Sequence, residues 1–511
     1  MNNSLLEIKN LDVSADKKPI VKNISFKLKK NKILGIVGES GSGKSVTALS
    51  ILKLSVFRGL NQSGSLFFND TDLNKISNND FRKILKNDIG IIFQDPSSYL
   101  NPSIKCGIQL IECFKSTHSK NINKTNHAID LLKKVKIDSP QITLNKYPHE
   151  LSGGQQQRLM IAMMISKNPK ILICDEATSS LDTIIKKEII SLLMRLKKEY
   201  KMSLIFITHN LNLVHEISDY IIFLKDGKII EEGETTKIFK NPKNNYTKNL
   251  ISLNKKLIIN KINFSKSNSE ILKIKNLSLN LGGKEILNKI NFKLFKNDSL
   301  GIIGESGSGK TTISKCILKI YEEYSGDIFY NSENIKSINR LSNSKEIQVV
   351  FQDPYSSLDP SIRVIDQVIE PMKFHKITSK DNLNSEAIKI LESVKLKSDL
   401  YNKFPSQLSG GERQRVVIAR ALTMKPKVLI CDECVSALDK NIQNSILNLL
   451  VELKNKLSLT LVFISHDIRI VKNICNRVMV LKNGLIVDLN DTKKLFKNPS
   501  PYTKSLINAS F

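Results

Sequence analysis

Apolar residues along the chain fall into three patterns. In the first, hydrophobic and polar residues alternate, as in ILKIKNLSLNL at Ile271–Leu281. Successive strand side chains point to opposite faces, so alternation predicts a strand with one buried face. In the second, short runs are apolar throughout: ILGIV at Ile33–Val37, LGII at Leu300–Ile303, ILIC at Ile171–Cys174 and the start of SLIFIT at Ser203–Thr208. Such runs predict strands buried on both faces, as in a parallel sheet covered by helices. In the third, apolar residues recur at helical spacing, as in HAIDLLKKVKI at His127–Ile137 and QQQRLMIAMMIS at Gln155–Ser166. These predict helices with an apolar stripe. Strands alternating with helices give an α/β fold with a parallel-sheet core.

The patterns occur twice. GIVGESGSGKS at Gly35–Ser45 returns 266 residues later as GIIGESGSGKT at Gly301–Thr311. IIFQDPSSYLNPS from Ile91 returns 258 residues later as VVFQDPYSSLDPS from Val349. LSGGQ at Leu151–Gln155 returns as LSGGE at Leu408–Glu412, an offset of 257. The same offset of 257 relates ILICDE ending at Glu176 to VLICDE ending at Glu433, and FITH ending at His209 to FISH ending at His466. Blocks in one order at nearly constant spacing predict two tandem copies of one domain. We read a first domain over 1–253, a polar Asn/Lys/Ser-rich linker over 254–269 and a second domain over 270–511.

Composition narrows the class. Of the 511 residues 41% are hydrophobic, enough for a sizeable core in each half. No apolar window approaches the ~18 residues of a membrane-spanning helix. The start, MNNSLLEIKN, lacks the basic-then-apolar order of a signal peptide, so a cytoplasmic protein is expected. The formal charge of +29 raises the question of nucleic acid, but only 11 of the 78 basic residues are Arg. Arg is the residue suited to bidentate phosphate and base contacts. The Lys load is spread evenly, so no nucleic-acid partner is expected; an anionic membrane surface is equally compatible with the charge. Cys431 and Cys434 form a lone C-x-x-C without a second pair, and read as reduced residues flanking a strand end rather than as a metal site.

The repeated blocks carry chemistry. G-x-x-x-x-G-K-[ST] is met by Gly38, Glu39, Ser40, Gly41, Ser42, Gly43, Lys44 and Ser45, and again by Gly304, Glu305, Ser306, Gly307, Ser308, Gly309, Lys310 and Thr311. Its glycines let backbone N–H groups curl around phosphate oxygens, and the following helix presents its N-terminus to the same anion. Lys44 and Lys310 are expected on the β- and γ-phosphates of ATP, with Ser45 and Thr311 on Mg²⁺. Asp175 and Asp432 each end an apolar strand, where a second Mg²⁺ contact belongs. Glu176 and Glu433 follow, placed to polarise an attacking water. His209 and His466 each stand 33 residues after those glutamates, a repeat that argues for function.

LSGGQ and LSGGE resemble the signature of the ABC ATPases, and the ordered blocks match that superfamily over nearly all of the chain. The resemblance implies two tandem P-loop NTPase domains. Each would have a parallel-sheet core, an antiparallel β subdomain and a helical subdomain carrying the signature. It assigns the signature to Leu151, Ser152, Gly153, Gly154 and Gln155, and to Leu408, Ser409, Gly410, Gly411 and Glu412. It makes Gln94 and Gln352 the Q-loop residues that sense the γ-phosphate, Mg²⁺ and the membrane partner. It makes Asp182 and Asp439 the D-loop aspartates, and His209 and His466 the switch histidines. It further implies that the halves pair head to tail, so that each signature completes the other half's ATP site. Two departures stand out. The aromatic residue that usually stacks on adenine is replaced by Ala15 and Leu281, and Gln156 replaces a usual Arg after the first signature.

GESGSGKS, FQDPYSSLDPS, YPHELSGGQ at Tyr147–Gln155 and NPSPYTKSL at Asn498–Leu506 resemble the oligopeptide/dipeptide importer class. That class includes fused ATPase subunits of the microcin C and glutathione uptake types. The resemblance implies an ATPase on the cytoplasmic side of a bacterial inner membrane, held peripherally by two permease subunits. A periplasmic substrate-binding protein would deliver the cargo. The rival readings are a tandem ABC ATPase acting on ribosomes, which usually has a long charged helical linker, and one acting in DNA repair, which would need zinc-binding Cys clusters or coiled-coil insertions.

Overall fold

The computed structural model describes residues 4–16, 18–39, 41–57, 59–114, 123–178, 181, 183–255, 269–436 and 438–510. Ser40, Ser179 and Asp182 lie outside them, as does most of the linker stretch, 256–268. Two compact units are present, one of Met1–Leu181 with Ile185–Lys255, the other of Asp182–Ile184 with Lys256–Phe511.

In the first unit, β1 (Ser4–Ala15), β2 (Lys18–Lys29), β4 (Asn61–Phe68) and β5 (Thr71–Asp72) form an antiparallel sheet in the order β2-β1-β4-β5. A second sheet contains β3 (Ile33–Gly38), β6 (Ile89–Ile92), β7 (Ile171–Asp175), β8 (Ser203–Ile207), β9 (Tyr220–Lys225) and β10 (Lys228–Glu234). Its order is β10-β9-β3-β8-β7-β6, parallel throughout except for the edge strand β10. The apolar runs explain themselves here. Ile171 and Ile173 of β7 pack with Leu6, Ile8, Phe26, Ala48 and Ile51, between the two sheets. Leu172 and Cys174 face the other way, onto helical residues such as Leu131, Leu132, Leu159 and Ile189. Both faces are covered, so no polar alternation survives.

The second unit repeats the plan. β11 (Glu270–Leu281), β12 (Lys284–Phe295), β14 (Ser325–Tyr330) and β15 (Glu333–Asn334) form the antiparallel sheet. β13 (Ser299–Gly304), β16 (Ile347–Val350), β17 (Val428–Asp432), β18 (Thr460–Ile464), β19 (Arg477–Lys482) and β20 (Leu485–Asp491) form the other, ordered β16-β17-β18-β13-β19-β20. The helix Asn245–Lys255 runs two residues into the stretch read as linker. Among the described residues no helix is long and apolar enough to cross a membrane.

Candidate active site

The central strand β3 delivers the Gly-rich loop. It runs from Gly38 directly into the turn before the helix Lys44–Ile51. Gly43 caps that helix at φ 96°, a left-handed conformation that costs glycine nothing. A side chain there would also meet the Ile20 carbonyl at 3.2 Å. Gly309 repeats this at φ 100° before the helix Lys310–Ile317. The first-turn amides of such a helix have no partner within it and point toward the loop mouth. Lys44 is 6% exposed, and its Nζ donates to the carbonyls of Gly38 at 2.9 Å and Glu39 at 2.8 Å. Lys310 does the same to Gly304 at 2.9 Å and Glu305 at 2.6 Å. The ammonium is thereby anchored over the loop, a fixed positive charge beside a ring of donors.

Two strands away along the sheet, β7 brings in the acidic pair. Ser45 Oγ donates to Asp175 Oδ1 at 3.0 Å, and Thr311 Oγ1 to Asp432 Oδ1 at 3.1 Å. Residues 130 and 121 apart in sequence thus meet at the loop. Burial pushes both Asp carboxyls above their ordinary range, despite the hydroxyl each accepts from. The neighbouring glutamates go the other way. Burial raises Glu176 and Glu433, but the hydrogen bond and charge of the facing histidine, with the nearby lysine, outweigh it and leave both below the usual value. His209 Nδ1 lies 3.4 Å from Glu176 Oε1, and His466 Nδ1 3.4 Å from Glu433 Oε2. Adjacent carboxyls are thus driven apart in proton affinity by their surroundings.

The backbone that aims these glutamates has no sequence signal. Glu176 sits at φ 47° and Glu433 at φ 50°, in the left-handed region that non-glycine residues seldom adopt. Their amides still donate across the sheet, to Ile207 at 2.9 Å and Ile464 at 3.0 Å. The chain therefore turns sharply on the last ladder bond, and strain of this kind gathers at working sites.

The signature segments start helices. Ser152 caps Gly153–Ile165, its Oγ accepting from Gln155 N at 3.3 Å while Gln155 Oε1 accepts from Ser152 N at 3.1 Å. Ser409 and Glu412 form the same reciprocal box at 3.4 and 2.8 Å. The second Gly of each pair is needed for packing: a side chain at Gly154 would meet Ile185 at 3.1 Å, and one at Gly411 would meet Ile442 at 2.5 Å. Asp439 caps the helix Lys440–Leu457 through Ile442 N at 3.0 Å. Gln94 and Gln352 are exposed, in the loops that follow β6 and β16. Ala15 and Leu281 end β1 and β11, paired with Lys18 and Lys284.

Within each unit, then, the loop lysine, the hydroxyl, the acidic pair and the histidine converge. Aligning the two halves adds to the Gln156 departure what motif reading missed: Tyr355, the partner of Arg413, is Ser97 in the first half, and Asp467 with Arg469 is Asn210 with Asn212.

The sequence pattern of the ABC transporter family matches residues 21–179 and 287–436. The glutathione import ATP-binding protein of Shigella dysenteriae serotype 1 is 35% identical over 99% of this chain and 89% of its own. That of Escherichia coli strain K12 is 34% identical over the same shares, 99% and 89%. That of Salmonella paratyphi A is 35% identical over 96% of this chain and 86% of its own. With two phosphate loops, two acidic strand ends and two signature helices on one polypeptide, the chain belongs to the ABC transporter family as a fused ATP-binding subunit whose ATP hydrolysis drives transport.

Proposed function

We propose that this ATPase powers an importer of peptides or peptide-like compounds, with glutathione the first cargo to test. The observation that carries the reading is full-length similarity to glutathione import ATP-binding proteins, joined to two complete loop–acid–histidine clusters. The named relatives serve import, which weighs against the ribosomal and DNA-repair readings.

In this reading the loop amides with Lys44 or Lys310 hold the triphosphate. Ser45 with Asp175, and Thr311 with Asp432, are hard oxygen donors of the kind Mg²⁺ takes. The desolvated Asp carboxyls, raised by burial, suit a site that a cation would relieve. Mg²⁺ bound there would neutralise charge on the phosphates. Glu176 and Glu433, kept ionised, accept a proton from the attacking water, and His209 and His466 orient them. Gln94 and Gln352 complete the phosphate and metal contacts. Each signature, Ser152–Gln155 or Ser409–Glu412, would serve the ATP held by the other half, and Asp182 and Asp439 would act as the D-loop aspartates. Closure biases two permease subunits between their inward- and outward-facing states. A periplasmic binding protein supplies the cargo, and the chain works at the cytoplasmic face of the inner membrane.

Uptake of labelled glutathione and other short peptides, by cells with and without the gene, tests the cargo. Equal uptake of every peptide would sink the peptide reading, and a purified chain unable to hydrolyse ATP with its permeases would sink the rest.

A further inference from the structure

The two units hold their glutamine loops by different means. In the first, Phe93 and Tyr99 stack with centroids 3.7 Å apart and planes 4° apart, closing the Gln94 loop on itself. Ser357 stands at the place of Tyr99 in the second unit, so that stack has no counterpart. Instead, two arginines of the signature helix Gly410–Leu422 reach the Gln352 loop. Arg420 Nη1 donates to the Ser357 carbonyl at 2.9 Å, and its Nη2 lies 3.7 Å from Glu370. The Arg413 guanidinium lies 5.2 Å from the centre of the Tyr355 ring, while its Nε donates to the Pro405 carbonyl at 2.8 Å.

Among the described residues the first unit has neither arginine link; Leu100 of the Gln94 loop instead joins the apolar cluster of the signature helix, with Met163 packed against it. Gln156 keeps the equivalent carbonyl bond, to Pro148 at 2.8 Å, but Ser97 stands where the second unit has Tyr355. Met163 stands at the place of Arg420, on the wall of a cavity of about 350 Å³ lined also by Asn101, Gln109 and Glu112. Both members of the ring contact change together, Tyr355 with Arg413 against Ser97 with Gln156. Within one chain the first unit is thus a control for the second.

We propose that Arg413 and Arg420 are positioning residues that bind the Gln352 loop to the signature Ser409–Glu412 more tightly than apolar packing alone binds the Gln94 loop to Ser152–Gln155. The proposal rests on the ATPase reading of those elements. A guanidinium–carbonyl bond and a cation–π contact both resist separation of the parts they join. A displacement of the Gln352 loop by phosphate or by a permease therefore reaches the second signature directly. The Gln94 loop meets its signature helix through apolar packing, with Leu100 beside Leu159 and Met160, and without a guanidinium to hold it.

Steady-state ATP hydrolysis by the full chain tests this as a double-mutant cycle. Arg413→Gln and Arg420→Met install the first unit's residues. Combined with Gln352→Ala, they are expected to be non-additive in kcat by about 3-fold or more, since a severed link has nothing left to transmit. For the arginine variants alone, KM for ATP is expected to stay within about 2-fold, because they leave the phosphate contacts untouched. Arg420→Lys keeps a donor for Ser357, and Tyr355→Phe keeps the ring; both are expected to preserve the wild-type cycle. Met163→Ala with Gln94→Ala is expected to be closer to additive than the second unit's cycle. Additive kcat effects in the second unit, from variants that melt like the wild type, would overturn the coupling and leave the ATPase reading standing. Should Arg420→Met fail to fold, the cycle of Tyr355→Ser with Gln352→Ala decides. A chain without any ATP hydrolysis overturns both.

Discussion

The two loop–acid–histidine clusters are nearly identical in their bonds, yet their foundations differ in charge. Lysine to loop carbonyl is 2.9 Å in both, hydroxyl to Asp 3.0 and 3.1 Å, and histidine to Glu 3.4 Å in both. At the base of the central strand the first unit has Lys32 on Asp219 at 2.7 Å, with Asp219 also accepting from Ile33 N. The second reverses the sign: Asp298 is buried, and takes Arg477 at 2.9 Å and Asn476 at 2.6 Å. After the histidine the first unit has Asn210, which caps its helix through Leu213 N at 3.3 Å. The second has Asp467, bound by Arg469 through Nε at 3.0 Å and Nη2 at 2.8 Å. Site geometry is therefore set by the sheet and its turns, and the supporting charges can be exchanged as long as each is paired.

The largest effect should fall equally on both units. Glu176→Gln and Glu433→Gln together are expected to lower kcat by about 100-fold or more. Singly, they should cost the same. A single variant with full turnover would show that equal geometry conceals one silent site.

Asp467 should separate the units. Burial pushes its carboxyl up, but the Arg469 guanidinium outweighs this and holds it down at about 2. A folded value below the unfolded one stabilises the protein above about pH 4, and that contribution is lost as pH falls toward 2. Asp467→Asn is thus expected to destabilise the second unit by on the order of 2 kcal/mol at pH 7, with the deficit narrowing in acid. Denaturant titrations across pH would measure it. Asn210→Asp should bring no gain, because Asn212 stands where Arg469 would be needed.

Smaller effects follow from packing. Gly411→Ala puts a methyl 2.5 Å from Ile442, whereas Gly154→Ala leaves 3.1 Å to Ile185. Overpacking of this kind costs roughly 1 kcal/mol or more, and the thermal shift should be larger for Gly411. The smallest change is expected from Gln156→Arg, within about 0.5 kcal/mol of neutral, since Ser97 offers its guanidinium no ring. A large gain in stability or turnover there would mean that the missing arginine contact is not specific to Tyr355.

Much of this molecule was legible along the chain. The runs at Ile171–Cys174 and Ser203–Ile207 read as two-faced buried strands because neighbours cover both sides of any parallel strand. The phosphate loops and the signature boxes depend on residues within a few positions of one another, so their spacing carries their geometry. The left-handed turn at Glu176 and Glu433 does not, because it is imposed by ladder bonds to Ile207 and Ile464, 31 residues on. Nor does the meeting of Ser45 with Asp175, or the choice between Lys32–Asp219 and Asp298–Arg477, since either sign satisfies the same strand end. Local pattern encodes what short stretches of backbone can do; which distant groups neutralise one another is settled when the sheet brings them together.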